Sequence, residues 1–239
     1  MTKVIAVIGA KGFVGSVLCD HLRDSGFTVM EVTRGTYESA RRNKAVDYVF
    51  NCAMPSGRFW AKNNSGSDFT ETVEKTFKIT SDFPQSKIIQ ISSISARVQL
   101  DSVYGRHKLA AEALLDPDKH LVIRLGPLYH PSMTKGALID IINNKKVFLS
   151  GKTKYAFTPL SWVCDAILHN IDSLGVLELG SEGYVVLEEL AASLGSLSDF
   201  HGISDDQVFL NGPDGRPQAQ DVIAFASEKM EGLNYEKTI

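Results

Sequence analysis

The first half of the chain alternates between short apolar runs and stretches in which apolar residues recur at helical spacing. Apolar runs bounded by turn residues predict buried strands, here over residues 4–9, 28–33, 48–52, 87–92 and 120–125. The helical spacing predicts helices over residues 13–25, 37–44, 69–80 and 104–115. Strands and helices in regular alternation predict an α/β fold with a mostly parallel sheet.

The connection between the second and third predicted strands is short. Only fourteen residues, 34–47, separate them. A crossover between parallel strands needs about a dozen residues or more, so this segment is near the lower limit. We therefore expect one strand of the usual set to be missing at this place.

The second half of the chain is less regular. Its pattern predicts a short strand over residues 177–179 and helices over residues 137–144, 161–171, 187–194 and 221–230. No clear linker divides the chain, so two interleaved regions are expected. We expect a larger domain formed by residues 1–125 plus about 159–180, and a smaller one formed by residues from about 126 to 158 plus 181–239.

Charge and cysteine content exclude several classes of function. The chain has 25 Lys and Arg against 28 Asp and Glu, a formal net charge of −3. This balance argues against binding to nucleic acid or to an anionic membrane. The three cysteines form no CxxC pair or Cys/His cluster, so neither a disulfide framework nor a metal site is expected. A cytoplasmic location fits this usage, and no targeting or membrane-spanning segment is expected.

A glycine-rich turn follows the first predicted strand and opens the first predicted helix. Gly9, Gly12 and Gly15 have the spacing and the strand–turn–helix context of a motif that binds the pyrophosphate of a dinucleotide. The first glycine permits a tight turn, the second lets a phosphate approach the helix N-terminus, and the third lets the helix pack close to the sheet. A glycine-rich turn without a ligand is the alternative interpretation. Three neighbouring residues are further candidates for cofactor binding: Lys11, Phe13 and Val14.

The end of the second predicted strand indicates which dinucleotide is bound. NAD enzymes place a carboxylate there to bind the ribose hydroxyls, whereas this chain has Thr33 followed by Arg34. Because a guanidinium is suited to the 2′-phosphate of NADP, we predict NADP rather than NAD. Arg34 as a solvated surface cation is the alternative, and Glu31 is a carboxylate that lies two residues early. Lys11 either adds to the phosphate site or faces water.

A serine pair and a tyrosine–lysine pair supply candidate chemistry. Ser92 and Ser93 end the fourth predicted strand. Tyr104 and Lys108 follow, four positions apart and therefore on one face of a helix. An ammonium near a tyrosine lowers the pKa of its phenol, so the pair is suited to exchanging a proton with an alcohol or a ketone. Ser93 is placed to hold the same substrate oxygen. Serine and lysine in capping and solvated roles are the alternative.

With these motifs the chain resembles the extended short-chain dehydrogenase/reductases, which are NAD(P)-dependent sugar-nucleotide epimerases, dehydratases and reductases. Beyond the glycine turn and the serine pair, the resemblance rests on residues 51–53, 104–112, 124–131, 159–166, 179–180 and 187–191. It implies a Rossmann-type, doubly wound parallel sheet with a small C-terminal substrate-binding subdomain. The larger domain is then the dinucleotide-binding one.

The resemblance also implies a role for each candidate residue. Tyr104 would be the acid/base, and Lys108 would lower its pKa and hold the nicotinamide ribose. Ser93 would orient the substrate oxygen, with Ser92 as its substitute. Ala53, at the end of the third strand, joins the cofactor-binding residues.

Departures from the family pattern limit the substrate. Dehydratases carry an Asp-Glu pair where this chain has Ile94 and Ser95, so elimination of water is not expected. Pro127 stands where the family often has an Asn that helps to hold nucleotide-sugar phosphates. Arg216 resembles a late arginine that holds a pyrophosphate, and His130 lies near the expected substrate cleft. A turn arginine and a solvated histidine are the alternatives.

Three functions follow from these features. The first is an NADP-dependent oxidoreductase acting on a keto or hydroxyl carbon of a small molecule, a nucleotide-sugar, with 4-keto reduction favoured because NADP suits net reduction. The second is a nucleotide-sugar epimerase working by transient oxidation. The third is a non-catalytic NADP-binding sensor or assembly protein. A homodimer is compatible with the resemblance, because family members often dimerise through two helices that include residues 104–115.

Overall fold

The computed structural model describes residues 2–43 and 45–236. Its strands are β1 (Val4–Ile8), β2 (Thr28–Val32), β3 (Tyr48–Asn51), β4 (Lys87–Ser93), β5 (Leu121–Leu125), β6 (Leu128–Tyr129), β7 (Lys154–Tyr155), β8 (Thr158–Pro159), β9 (Gly175–Leu179) and β10 (Val185–Val186). Its helices are α1 (Phe13–Asp24), α2 (Tyr37–Ala40), α3 (Arg58–Asn63), α4 (Ser65–Phe69), α5 (Lys75–Asp82), α6 (Ser95–Val98), α7 (Val103–Glu112), α8 (Ala137–Ile142), α9 (Leu160–His169), α10 (Leu187–Ser193) and α11 (Val222–Glu236). A π-helical turn, Thr70–Glu74, lies between α4 and α5, and a 3-10 turn, Ala219–Asp221, precedes α11.

Two compact units divide the chain. The first comprises the residues up to Leu125 together with Val163–Leu179, and the second comprises Gly126–Trp162 together with the residues from Gly180 onward. The functional candidates of the glycine turn, the serine pair and the tyrosine–lysine pair all belong to the first unit.

The first unit contains a six-stranded parallel sheet in the order β2-β1-β3-β4-β5-β9. Central strands of a parallel sheet are buried on both faces, and Ile5, Phe50 and Ile89 are accordingly fully buried. Helix α1 buries Leu18 and Leu22 as its helical spacing predicts. The predicted α/β fold with a Rossmann-type sheet is confirmed.

Strand β2 is an edge strand, as the short crossover predicts. Between β2 and β3 the described residues contain the one-turn helix α2 and no further strand. Helix α2 ends at Ala40, so it is shorter than the helix predicted over residues 37–44. The last residue of that prediction, Lys44, lies outside the described residues. The segment before it is fixed by a hydrogen bond of 2.9 Å from the Thr33 N–H to the Thr36 Oγ1.

The helical region before β4 differs from its prediction. The sequence predicts one helix over residues 69–80, whereas the structure has α3 and α4 upstream and the π-helical turn between α4 and α5. Helix α3 has no apolar periodicity to reveal it, because its aromatic residues are largely outside the core: the Phe59 residue is 81% exposed. A π-helical turn has no sequence signature, but it often marks a functional segment.

The second unit has two short strand pairs and a helical core. Strand β6 pairs with β8 in parallel, and β7 pairs with β10 in antiparallel. The core contains apolar side chains of α8, α10 and α11, among them Leu138, Ile141, Leu187, Leu190 and Val222. In the part of the chain that the structure describes, no helix is both long enough and apolar enough to cross a membrane.

Candidate active site

The glycine turn lies at the carboxyl end of β1, where the chain enters α1. Gly9 has a φ of 86°, in the left-handed region that favours glycine, and a Cβ there would lie 2.8 Å from the Ala53 backbone. The Gly12 N–H donates to the Gly9 carbonyl oxygen at 2.9 Å. A Cβ on Gly15 would overlap with that same carbonyl oxygen. The close packing of α1 on this turn therefore requires glycine at the first and third positions.

A cavity of about 900 Å³ adjoins the turn. The predicted cofactor-binding residues that line it are Gly9, Lys11, Gly12, Thr33, Arg34 and Ala53. Phe13, Val14 and Gly15 lie in the first turn of α1 and do not line the cavity. Tyr104 and Lys108, also predicted to bind the cofactor, do not line it either. Gly12 is the N-cap of α1 and provides no side-chain cap. The N-terminus of a helix attracts anions through its dipole. The residues present thus fit a dinucleotide with its phosphates at the glycine turn.

Charged side chains connect Arg34 to the loop after β3. The Arg34 side chain is 92% exposed, and its Nη2 lies 3.6 Å from Oε1 of Glu71. Glu71 is also ion-paired with Lys75, whose Nζ donates to the Ala53 carbonyl oxygen at 3.1 Å. Glu71 and Lys75 line the cavity and were not among the sequence candidates. Their four-residue spacing within a predicted helix is the signal that would have indicated the pair.

The same loop is held from its other side by buried amides. The Asn51 Oδ1 accepts the Ala53 N–H at 3.2 Å, and the Asn51 Nδ2 donates to Gln90 Oε1 at 2.9 Å. Both amide side chains are fully buried. Ala53 is therefore fixed at both its N–H and its carbonyl group, which rigidifies the wall of the cavity that faces Gly9.

Ser93, Tyr104 and Lys108 lie close together. Ser93 ends β4, and the other two residues belong to α7. Ser102 is the N-cap of this helix, and its Oγ accepts the Gly105 N–H at 2.9 Å. Ser93, Tyr104 and Lys108 are only 8%, 7% and 3% exposed. The Lys108 Nζ lies 5.0 Å from the centroid of the Tyr104 ring. The structure thus brings the three predicted catalytic residues into one buried cluster.

Burial controls the protonation of Tyr104. It raises the pKa of the phenol to about 12, while hydrogen bonding with Ser93 and the positive charge of Arg58 lower that pKa. The sequence predicts Lys108 as the cation that lowers this pKa, whereas here the cation that does so is Arg58 of α3. No spacing rule joins Arg58 to Tyr104, so sequence reasoning missed it. At neutral pH Tyr104 is a protonated acid.

Burial also disfavours the charged form of Lys108. It lowers the pKa of the ammonium to about 7, and the carboxylates of Asp68 and Glu112 oppose this shift. Lys75 lowers the same pKa further by like-charge repulsion. The protonation of Lys108 therefore depends on its carboxylate neighbours.

Ser92 has a different set of contacts from Ser93. Its hydroxyl donates to Glu112 Oε1 at 2.5 Å. Glu112 is also the bidentate acceptor of Arg124, with a distance of 2.6 Å from Nη2 to Oε2. Ser92 thus joins the ion pair at the end of α7, whereas Ser93 meets Tyr104 near the start of the same helix.

The two remaining substrate candidates belong to the second unit. The Nδ1 of His130 lies 2.8 Å from Ser132 Oγ, and burial lowers the pKa of its imidazole. Arg216 is half-buried, and among the described residues its Nη1 has no hydrogen-bond partner. Their roles toward a substrate remain predictions.

Comparisons with known proteins agree with this geometry. Residues 5–118 match the model of the NAD dependent epimerase/dehydratase family. No curated protein sequence matches the chain. Among solved structures, dTDP-4-dehydrorhamnose reductase from Yersinia enterocolitica is similar at 16% identity, covering 96% of this chain and 99% of that one, with a TM-score of 0.76.

Two further similar structures have other activities. UDP-glucose 4-epimerase from Thermotoga maritima, solved with UDP-glucose, is 15% identical, covers 98% of this chain and 99% of its own, and has a TM-score of 0.74. TunA, an NAD dependent NDP-hexosamine 5,6-dehydratase, is 14% identical. The match covers 97% of this chain and 98% of TunA, with a TM-score of 0.80. At these identities the likeness shows the fold. The predicted enzyme class is confirmed by the family comparison, in which residues 5–118 of the chain match the NAD dependent epimerase/dehydratase family.

Proposed function

We propose that this chain reduces a keto group of a nucleotide-activated sugar, with NADPH as its cofactor and a 4-keto sugar as the favoured substrate. The observation that carries the proposal is the cluster of Ser93, Tyr104 and Lys108, in which a protonated phenol is paired with a serine hydroxyl. When bound, the cofactor supplies the hydride. Tyr104 donates a proton to the carbonyl oxygen, and Ser93 holds the same oxygen.

The glycine turn would hold the diphosphate of the cofactor. Gly9 and Gly12 present a bare backbone to the cavity, and Lys11 lies between them. Lys108, buried against the Tyr104 ring, would hold the nicotinamide ribose. Each of these side chains lies in the first unit, which supports its predicted role as the dinucleotide-binding domain.

The charges near the end of β2 support NADP over NAD. Thr33 and Arg34 line the cavity where an NAD enzyme would need a carboxylate. Glu31, the only carboxylate of β2, is ion-paired with Arg23 and does not line the cavity. Arg34 is a cation at the end of a strand that offers the cavity no carboxylate for the ribose hydroxyls. This arrangement favours a cofactor with a 2′-phosphate.

The other predictions remain part of this proposal. The second unit would bind the substrate, with Arg216 and His130 as contacts. Leu109 and Leu114 are partly exposed on and just after α7, which supports a homodimer through this helix. A cytoplasmic location and the absence of nucleic-acid and membrane partners stay as predicted.

The first test identifies the nucleotide that the protein retains. The protein is purified without added cofactor and denatured, and the released nucleotide is analysed by mass spectrometry. NADPH consumption is then followed with a panel of 4-keto nucleotide-sugars. We expect NADP(H), or an empty site that titrates with NADPH, and oxidation of NADPH by one of the sugars. Tightly retained NAD with redox-neutral interconversion of sugars would favour the epimerase. Binding of NADPH without consumption by any keto-sugar would favour the non-catalytic alternative.

Replacing Arg34 tests the choice of cofactor. Arg34→Ala is expected to weaken NADPH binding by about tenfold or more, because a hydrogen bond to a charged group contributes about 1.5 kcal/mol or more. NADH binding should change little, since NADH has no 2′-phosphate. Both affinities are measured by nicotinamide fluorescence. Arg42→Ala is the matched control, because Arg42 is exposed and does not line the cavity. Equal weakening of NADPH and NADH would refute the 2′-phosphate role.

A further inference from the structure

Glu71 places a carboxylate in the lining of the cavity beside the glycine turn. It belongs to the π-helical turn between α4 and α5, and turns of this kind are frequent at functional sites. Hydrogen bonding with Lys75 lowers the pKa of the Glu71 carboxyl, and the nearby charge of Arg34 lowers it further. The group is therefore ionised at neutral pH. An ionised carboxylate repels phosphate groups, whereas it accepts hydrogen bonds from hydroxyl groups.

Lys75 holds this carboxylate in place. The Lys75 Nζ is ion-paired with Oε2 of Glu71, and it also donates to the Ala53 carbonyl oxygen at 3.1 Å. Ala53 is fixed in turn by the fully buried Asn51, whose Oδ1 accepts the Ala53 N–H. The Glu71 carboxylate is therefore anchored to the loop after β3.

The other oxygen of this carboxylate faces Arg34. Glu71 Oε1 lies 3.6 Å from Arg34 Nη2, a distance at which the charges attract but which exceeds that of a usual N–H···O hydrogen bond. The Arg34 side chain is 92% exposed and that of Glu71 only 32%. Arg34 is therefore the partner that can turn toward a ligand, and a phosphate that binds it competes with Glu71.

The second carboxylate of the cavity pairs with other cations. Among the described residues, Glu38 is the one other carboxylate in the lining. Its Oε2 accepts the Arg41 Nε–H at 2.7 Å, and its Oε1 lies 3.9 Å from Lys78 Nζ. Glu71 is thus the carboxylate of the cavity that pairs with Arg34.

We propose that Glu71 is a specificity-determining residue for the cofactor, which limits the preference for NADP over NAD. The inference rests on the proposed function, in which Arg34 binds the 2′-phosphate. Glu71 opposes this phosphate in two ways, by pairing with Arg34 and by its own negative charge, and like-charge repulsion is a common device of specificity. NAD has a 2′-hydroxyl there, which donates to a carboxylate. Glu71 thus supplies, from the segment after β3, the carboxylate that the end of β2 lacks.

Replacing Glu71 by glutamine tests the assignment through binding alone. The Kd values of NADPH and NADH are measured by nicotinamide fluorescence for the unmodified protein and for Glu71→Gln. Loss of the carboxylate charge favours the diphosphate of both cofactors equally, so the ratio of the two affinities reports the 2′-phosphate. We expect this ratio to shift toward NADPH by about fivefold or more, because like charges a few ångströms apart repel even in water. An unchanged ratio, or a shift toward NADH, would overturn the proposal.

Glu31→Gln is the matched control. It makes the same change of charge on β2, where Glu31 is ion-paired with Arg23 and does not line the cavity. The ratio should stay within about twofold of that of the unmodified protein, because an exposed charge outside the site is screened. If Glu31→Gln shifted the ratio as far as Glu71→Gln does, the effect would be one of net charge, and the proposal would be wrong. Should Glu71→Gln fail to fold, Glu71→Met, uncharged and of similar length, takes its place with the same expected shift.

The Arg34→Ala background separates this inference from the proposed function. There Glu71→Gln should still shift the ratio toward NADPH, but less, because only the repulsion remains to be relieved. A selective loss of NADPH binding in Arg34→Ala, together with an unchanged ratio in Glu71→Gln, would refute the role of Glu71 and leave the proposed function standing. Equal weakening of both cofactors by Arg34→Ala would instead refute the 2′-phosphate role of Arg34, on which the proposed NADP preference depends.

Discussion

Tyr104→Phe is expected to reduce NADPH-dependent turnover of the keto-sugar by about a thousandfold or more, as loss of a general acid does. The phenol is the buried proton donor of the site, with its pKa raised by burial and its hydroxyl paired with Ser93. The phenyl ring of the variant still fills the space beside the Lys108 Nζ. NADPH affinity, measured by fluorescence titration, should therefore be nearly unchanged.

A second tyrosine provides the control for this result. Tyr48 is 4% exposed and donates to Asp172 Oδ1 at 2.5 Å, in a cluster with Lys3 that contains none of the predicted catalytic residues. Tyr48→Phe removes a buried phenol hydroxyl of the same kind and should leave turnover within about twofold, because it does not touch the reacting atoms. Normal turnover by Tyr104→Phe would mean that Tyr104 is not the proton donor.

Arg124→Met is expected to lower the free energy of unfolding by about 3–5 kcal/mol, the usual result of removing one partner of a buried ion pair. The Glu112 side chain is 5% exposed and accepts two N–H groups of Arg124. Without Arg124 its carboxylate keeps only the Ser92 hydroxyl as a partner from this network. Urea unfolding of the variant measures the loss.

Two further variants decide whether the loss comes from the unpaired charge. Arg124→Met combined with Glu112→Leu should recover most of the stability, because an apolar pair replaces an ion pair at little cost. Arg23→Met, which removes ion pairs with Asp20 and Glu31 among exposed side chains, should lower the free energy of unfolding far less than Arg124→Met. If Arg124→Met lowered the free energy of unfolding no more than Arg23→Met does, the buried ion pair of Arg124 and Glu112 would contribute little to stability.

Local patterns predicted the sheet and the cofactor turn. The central strands of the first unit are mostly apolar because both of their faces are covered, and five of the six strands appear in the sequence as mostly apolar runs. The sixth strand, β9, was predicted only over residues 177–179. The glycine turn is equally local at Gly15, where a Cβ would meet the backbone of Gly9 and Ala10. At Gly9 the positive φ is a local requirement, while the close approach of the Ala53 backbone is not. The edge position of β2 followed from the length of a single connection.

Contacts between distant segments could not be predicted in this way. Asp68 meets His107, and Arg124 meets Glu178 at 3.4 Å, across separations that no periodicity encodes. Arg58 influences Tyr104 from a helix that the pattern does not show. The contacts of Asp68 and Arg58 depend on how helices pack, and the contact of Arg124 with Glu178 depends on the pairing of β5 with β9. The pKa values of the catalytic groups depend on burial, which sequence spacing does not reveal.

The early end of the sheet at β2 has a consequence for how cofactor selectivity is encoded. Among the described residues no strand lies beyond β2, and the cavity lining next to it includes Thr33, Arg34, Tyr37 and Glu38, all from one short segment. The residues of this segment that we propose to select the cofactor, Thr33 and Arg34, are therefore contiguous in the sequence and lie outside the strands of the sheet. Exchange of this one segment would therefore change which dinucleotide is bound and leave every strand of the sheet as it is.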